Sequence, residues 1–249
     1  MVKFNIIMPV YNSEKWITQS IESVCRQSYG NWKLIVADDC SSDKTIEQIM
    51  KFHNSGFSIE ALKNKARKGP LLNQYFVLKN YTEPDSVIIH LDGDDWLADK
   101  DVLKELSKVY KSSETWATYG NYKSLSGGIS VCRPIDPELS IRKNSTVTGW
   151  CFSHLRTYRQ QLVKYLRVAD MVGKDGKFFM AAADVAIFLP ILEMCGKDRI
   201  VYHDRINLIY NDLNPISEST AKNVDTQIKT AVAIYNKQPY AELPKRCKL

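Results

Sequence analysis

Asp92-Gly93-Asp94-Asp95 places three carboxylates within four positions, directly after the apolar run Val87-Ile88-Ile89-His90-Leu91. Such a run reads as a strand buried on both faces, so the carboxylates stand at the end of an element with apolar surroundings. Ionised carboxylates are costly there unless positive charge sits against them. A hard divalent cation, Mg²⁺ or Mn²⁺, is the natural partner, because it takes oxygen ligands and is commonly shared between one or two carboxylates and substrate phosphates. Asp92 and Asp94 are the candidate ligands, and Gly93 between them lets the backbone approach a ligand closely. The competing structural reading is a surface turn with capping aspartates, since Asp-Gly is also a turn signal. An EF-hand calcium loop starting at Asp92 fails, because Trp96 stands where an oxygen ligand is needed and Leu97 where glycine is needed. A metal-dependent phosphatase also places carboxylates after a strand and stays open as an alternative. Neither G-x-x-x-x-G-K-[ST] nor G-x-G-x-x-G occurs, which argues against a kinase-like NTPase and a dinucleotide oxidoreductase.

The elements that must position these residues follow from hydrophobic periodicity. Phe4 to Val10 predicts a first, central strand, after which Asn12 or Ser13 is expected to cap a helix carrying Ile17, Ile21, Val24 and Cys25 on one face. The unit repeats: Leu34 to Ala37 as strand, Asp38 to Asp43 as turn, and Ile46, Ile49 and Met50 on a helix. A strand over Phe57 to Leu62, a basic loop from Lys63 to Gly69 and a helix over Leu71 to Leu78 follow. Two such repeats imply an α/β chain with a mostly parallel sheet flanked by helices. In sheets of that kind ligands bind beyond the carboxyl ends of the strands. Three loops share that rim: Val10-Tyr11-Asn12, Asp38-Asp39 and Asp92-Gly93-Asp94.

The later part is less regular. The pattern predicts helices over Lys100 to Val109, Arg159 to Leu166 and Asp184 to Cys195, and a strand over Trp116 to Tyr119. A hairpin is expected at Gly127-Gly128. A last helix spans Asp225 to Asn236, with Ile228, Ala231, Val232 and Tyr235 at helical spacing, before a polar, proline-containing tail.

Composition narrows the function classes. The 249 residues are 44% hydrophobic, enough for one full core, and the net charge of +6 is spread along the chain. Dispersed charge argues against a nucleic-acid footprint and is compatible with a diphosphate ligand or peripheral contact with an anionic membrane. Six cysteines without a C-x-x-C pair argue against structural zinc and fit reduced thiols. The N-terminus opens on a strand-like run rather than a signal peptide. Ala181 to Cys195, the most apolar later stretch, is broken by Asp184, Pro190 and Glu193, too polar for a membrane span. The expectation is a cytoplasmic protein, soluble or peripheral to a membrane.

Three segments in order, Ile7-Met8-Pro9-Val10-Tyr11-Asn12, Leu34 to Asp43 and Leu91-Asp92-Gly93-Asp94-Asp95, resemble glycosyltransferase family 2, the inverting enzymes of GT-A fold. The resemblance is strong over the first half. It implies a single GT-A domain over 1–249, with a nucleotide-sugar part (1–121), an acceptor and catalytic part (122–224) and a C-terminal helix and tail (225–249). It further implies that Pro9, Val10, Tyr11 and Asn12 line a nucleotide pocket together with Gly93, that Asp39 bonds the base, and that Asp92 and Asp94 hold the metal and ribose. Arg67 resembles a basic residue lying over the nucleotide; as a loop charge it is otherwise a solvated residue. Trp150-Cys151-Phe152-Ser153-His154-Leu155-Arg156-Thr157 resembles an acceptor-side segment, which makes Trp150 and His154 acceptor candidates; a lone histidine is otherwise a structural residue. Ala182-Ala183-Asp184 matches the Glu-Asp pair of similar enzymes with alanine replacing the Glu, so Asp184 is the candidate catalytic base, with helix N-capping as its bland alternative. The family usually has glycine where Cys40 stands. The implied activity is metal-dependent, inverting transfer of one sugar from a nucleoside-diphosphate sugar, UDP favoured. The implied acceptor is a hydroxyl of a glycan, lipid-linked or protein-linked molecule. Ala183 keeps open a catalytically inactive nucleotide-sugar binder.

Overall fold

The computed structural model describes residues 1–128, 130, 132–147, 149–216 and 224–244. The first half alternates strictly: β1 (Lys3–Val10), α1 (Ile17–Cys25), β2 (Trp32–Asp38), α2 (Thr45–His53), β3 (Ile59–Lys63), α3 (Pro70–Asn80) and β4 (Ser86–His90). Then come a two-residue β5 (Trp96–Leu97), α4 (Val102–Val109), β6 (Ala117–Ser124), α5 (Ile141–Val147) and β7 (Thr157–Arg159). The chain closes with α6 (Ala183–Cys195), β8 (Ile200–Tyr210) and α7 (Val224–Tyr235). The eight strands among the described residues join one sheet in the order β3-β2-β1-β4-β7-β6-β8-β5. β1 is parallel to β2 and β4, and β2 to β3; β7 turns the direction, running antiparallel to β4 and β6.

The continuous apolar runs of β1, β2 and β4 are explained by burial on both faces. Phe4, Ile6, Met8, Leu34, Val36 and Ile89 pack toward α1 and α4, whereas Ile7, Ile35 and Ile88 pack toward α3 and α6. Each strand therefore alternates between two cores rather than between core and water. α6 shows the same logic in a helix: every residue except Asp184 is buried, so it lies inside the second core rather than on it.

Several expectations are corrected. Neither Asn12 nor Ser13 caps α1 with its side chain: Trp16 flanks the helix, and the Ser13 carbonyl accepts from the amides of Trp16 and Ile17. The stretch from Arg159 to Leu166 is not an α-helix. Arg159 belongs to β7 and Leu166 is extended, which leaves room only for a short 3₁₀ segment, Gln160–Tyr165. At Gly127-Gly128 the chain does turn, with Gly127 at φ 99° and Ser124 N donating to Gly128 O at 2.8 Å. Positions 129 and 131 of the expected hairpin arm lie outside the described residues, and β6 takes its ladder partners from β7 and β8.

The segment after α7 runs back across the core as a strap. Tyr240 N donates to Glu193 Oε2 at 3.0 Å, and Leu243 N donates to Met194 O at 2.9 Å. The Arg167 guanidinium lies 4.0 Å over the Tyr240 ring, and Arg199 donates to Glu242 Oε1 at 2.6 Å and to Leu243 O. Arg142 joins Glu193 through two bonds, at 2.7 and 3.1 Å, and also donates to the Tyr235 and Lys237 carbonyls. Cys25, Cys40, Cys132, Cys151 and Cys195 are free, and Cys247 lies outside the described residues. Among the described residues no helix is long and apolar enough to cross a membrane.

Candidate active site

The carboxyl ends of β1, β2 and β4 meet the start of α6 around a cleft of about 670 Å³. Pro9, Val10, Tyr11, Asp39, Arg67, Asp92, Gly93, Asp94, His154 and Asp184 all line it. A second hollow, about 260 Å³, is bounded by Tyr119, Pro134, Ile135, Pro137, Lys197 and Tyr202, without the carboxylate cluster. The larger volume falls in the range of small-ligand sites.

Gly93 is required by packing. Its amide donates to Pro9 O at 3.3 Å, and an added Cβ would stand 2.2 Å from Val10 Cγ1. That approach presses the carboxylate loop against the end of β1. Asn12, at φ 48°, does not line the cleft; its Oδ1 accepts from Ser42 N at 2.9 Å while its own amide donates to Ser41 Oγ. It thus ties the first two loops together. Cys40 has φ 65°, in the left-handed region where glycine is favoured, which accounts physically for the glycine common at this position.

The Asp39 carboxylate organises the basic loop. It accepts from the amides of Lys68 (2.7 Å) and Gly69 (2.9 Å) and from Asn64 Nδ2 (3.1 Å). Burial pushes its pKa up, but hydrogen bonds from Asn73, Lys68, Gly69 and Asn64 outweigh this and hold it below the usual value. Arg67 stays 49% exposed, 3.6 Å from Asp39 and 3.7 Å over the Tyr11 ring. An aromatic face and a planar cation thus border the entrance together.

The carboxylate cluster is electrostatically strained. Asp92 rises to about 6 through desolvation in the cleft, partly offset by Arg156 and reinforced by Asp94 and Asp184. Asp95, 1% exposed, is pushed well above its ordinary value by burial and then by Asp94 and Asp92. Asp94 is raised by burial and lowered by Asn214 Nδ2, which donates to its Oδ2 at 2.6 Å. Ligating atoms of Asp92, Asp95 and His154 lie within 4.8 Å of one another. Asp95 Oδ2 and His154 Nδ1 are buried without a partner, although the other Asp95 oxygen accepts from Asn211 N at 2.8 Å. Orphaned buried donor atoms beside raised carboxylates fit a divalent cation. The convergent set is Asp92, Asp95 and His154, with Asp94 held by Asn214.

His154 is buried between Tyr122 and Tyr210, stacked on the latter at 5.7 Å. Burial, then Arg156 and His90, push its pKa well below the ordinary value; His90 falls to about 3 for the first two of these reasons. Burial thus disfavours the charged form of both imidazoles. Asp184 stands in the first turn of α6 and pairs with Arg156 Nη1 at 3.1 Å, while Ala182 (φ 53°) takes the flanking position, so Asp184 is not the cap of this helix. Trp150 is not among the cleft residues; it packs edge-on against Phe152, its indole N–H buried without a partner. Sequence reasoning did not single out Arg156, Asp95, Asn214 or Tyr210. Asp95 and Arg156 lie inside segments already of interest, whereas Asn214 carries no local signal.

Comparison with known proteins gives concordant results. Residues 5–174 match the family model "Glycosyl transferase family 2". The chain is 36% identical over 135 residues to the UDP-Glc:alpha-D-GlcNAc-diphosphoundecaprenol beta-1,3-glucosyltransferase WfgD of Escherichia coli, covering 54% of this chain and 51% of that one. It is 34% identical over 181 residues to an uncharacterized glycosyltransferase of Haemophilus influenzae, covering 72% and 71%. It is 26% identical to the poly(ribitol-phosphate) beta-N-acetylglucosaminyltransferase TarS of Staphylococcus aureus, covering 66% of this chain and 29% of that protein. The chain therefore spans about half the length of the first of these relatives and less than a third of TarS. TarS 1-349 in complex with UDP-GlcNAc superimposes with a TM-score of 0.70 at 21% identity, over 96% of this chain and 68% of that one. The mannosyltransferase PcManGT from Pyrobaculum calidifontis, in complex with GDP-Man and Mn²⁺, gives 0.63 at 16% identity, over 96% and 66%. These superpositions show a shared α/β fold with a curled, mostly parallel sheet flanked by helices.

Proposed function

The chain belongs to glycosyl transferase family 2, and from that premise we propose that it transfers one sugar, with inversion, from a UDP-sugar to an acceptor hydroxyl. The observation that carries the reading is a shared cleft: the donor-side carboxylates and Asp184 line the same 670 Å³ space from opposite halves of the sheet. Tyr11 and Arg67 border the uracil side, and Asp39 keeps the Arg67 loop in place. Uridine is favoured because WfgD acts on UDP-Glc and TarS is seen with UDP-GlcNAc. The names of both relatives give phosphate-bearing acceptors, so a phosphate-bearing glycan, lipid-linked or polyol acceptor is the class we propose, in keeping with the charge of +6.

A Mn²⁺ or Mg²⁺ ion fits Asp92, Asp95 and His154, with Asp94 beside them, and when bound would offset the charge of the leaving diphosphate. Asp184 takes the proton of the acceptor hydroxyl as its oxygen bonds to the anomeric carbon from the face opposite the diphosphate. The bond from the sugar to UDP breaks with its electron pair going to the phosphate oxygen, which inverts the anomeric configuration.

Purified protein with Mn²⁺, a UDP-sugar panel and phosphate-bearing acceptors tests this, reading UDP release and product anomer. Wild-type turnover abolished in Asp184→Asn supports the base; near-wild-type turnover in that variant removes it. Ala183 motivates a second reading, a nucleotide-sugar binder without turnover. Cation-dependent thermal stabilisation by UDP with no product from any donor would favour the binder.

A further inference from the structure

Arg156 sits where the two halves of the cleft face each other. Its side chain is 8% exposed and reaches a carboxylate on either side: Nη1 donates to Asp184 Oδ2 at 3.1 Å, and Nη2 lies 3.9 Å from Asp92 Oδ2. Its backbone is fixed by the sheet. His90 N, at the end of β4, donates to Arg156 O at 3.2 Å, and the next residue, Thr157, is registered against Ile89. The guanidinium therefore projects from a residue whose backbone is pinned to β4 immediately before β7 begins.

A buried guanidinium is costly unless carboxylates compensate it. Here the compensating groups are the candidate base and a donor-side carboxylate, from elements far apart in sequence. One oxygen of Asp184 is tied to a planar, directional donor, which fixes the carboxylate plane and leaves the second oxygen as proton acceptor. The same guanidinium faces Asp92, so the orientation of the base is referenced to the donor site.

We propose that Arg156 is a positioning residue that holds the Asp184 carboxylate in its proton-accepting orientation and sets it against the donor through Asp92. This rests on the transferase reading above. A misplacement of about 1 Å costs roughly 10²-fold in rate, which sets the effect to look for.

The test compares Arg156→Met, Arg156→Lys, Asp184→Asn and the Arg156→Met/Asp184→Asn double variant. Calorimetry with UDP and Mn²⁺, donor turnover and thermal melts are measured for each. The expected result for Arg156→Met is a kcat loss of about 10²-fold with UDP affinity held within about threefold. Arg156→Lys, which keeps the charge without the fork, should recover about tenfold of that loss. In the Asp184→Asn background, adding Arg156→Met should cost less than about twofold more, because the two residues act as one unit. Multiplying losses in the double variant, an unchanged kcat in a folded Arg156→Met protein, or UDP affinity falling as far as kcat would each overturn the proposal. Should the methionine variant lose its melting transition, the lysine variant decides: reduced kcat with retained UDP affinity supports the role, and full kcat overturns it. A wild type that turns over no donor removes the transferase reading and this proposal with it. An active wild type with indifferent Arg156 variants removes only the latter.

Discussion

The two halves of the sheet hold their loops by different means. From β1 to β4 the strands are parallel and in uninterrupted register, and β1, β2 and β4 are apolar on both faces, so the loops at their carboxyl ends inherit positions from the sheet itself. From β6 to β8 the pairing is mixed and bulged, and the supports are polar: Arg142 with Glu193, Arg199 with Glu242, and the strap from Lys237 to Leu243. Polar clamps close around α6, which carries Asp184 and is itself held by apolar burial in the second core.

The comparison can be broken most sharply at the chemistry. Asp184→Asn should lower transfer by about 10²–10⁴-fold with UDP binding retained, since the donor half is untouched; parallel loss of UDP affinity in calorimetry would argue that the halves do not divide the work this way. Next in size is Glu193→Ala, which leaves Arg142 with the Tyr235 and Lys237 carbonyls but no carboxylate and removes the acceptor for Tyr240 N. It should destabilise the protein by about 3–5 kcal/mol in denaturant unfolding. In the donor half, Gly93→Ala meets Val10 Cγ1 and Pro9 O and should cost about 1–3 kcal/mol of stability together with weaker UDP binding.

The Asp92 pKa gives a pH signature at the point where the two halves meet, since Arg156 and Asp184 contribute to it. A carboxyl raised from 3.8 to about 6 favours the protonated form in the fold. Its contribution to stability is therefore present below about 4 and lost as pH rises through about 6. Without cation, the melting temperature should fall over that window, and Asp92→Asn should flatten the fall. Because a ligating carboxylate must be ionised, Mn²⁺ affinity should weaken by up to about tenfold per pH unit below about 6. The smallest effect expected is for Arg67→Ala, which removes an exposed cation over Tyr11 and should reduce UDP affinity by about 0.5–1 kcal/mol by titration calorimetry.

Legibility in sequence follows the same division. β1, β2 and β4 are readable because burial on both faces leaves long apolar runs with turn chemistry at their ends. β8, eleven residues long, is not, because it is only partly buried along most of its length and His203, Asp204 and Arg205 interrupt its pattern. Those residues fall at a bulge, where His203 and then Ile206 pair with Gly120 and Asn121. Glycine is needed there, since a Cβ on Gly120 would stand 2.4 Å from His203 O. The tail looked like a polar end because its anchors, Arg142, Glu193 and Arg199, are scattered over the chain. Trp150, the acceptor candidate that opens its segment, packs on Phe152 and is not among the residues lining the cleft.

For the carboxylate loop after β4, composition and order alone determined that it lies at a sheet edge with Pro9-Val10-Tyr11 and Asp38-Asp39, because parallel strands joined by helices bring their carboxyl ends to one side. The tertiary structure alone decided how its three aspartates divide. Asp94 turns to Asn214, Asp95 faces His154, and Asp92 shares Arg156 with Asp184. These partners come from the segment before β7, from α6 and from the segment after β8, and only the packing of those parts sets which carboxylate meets which charge.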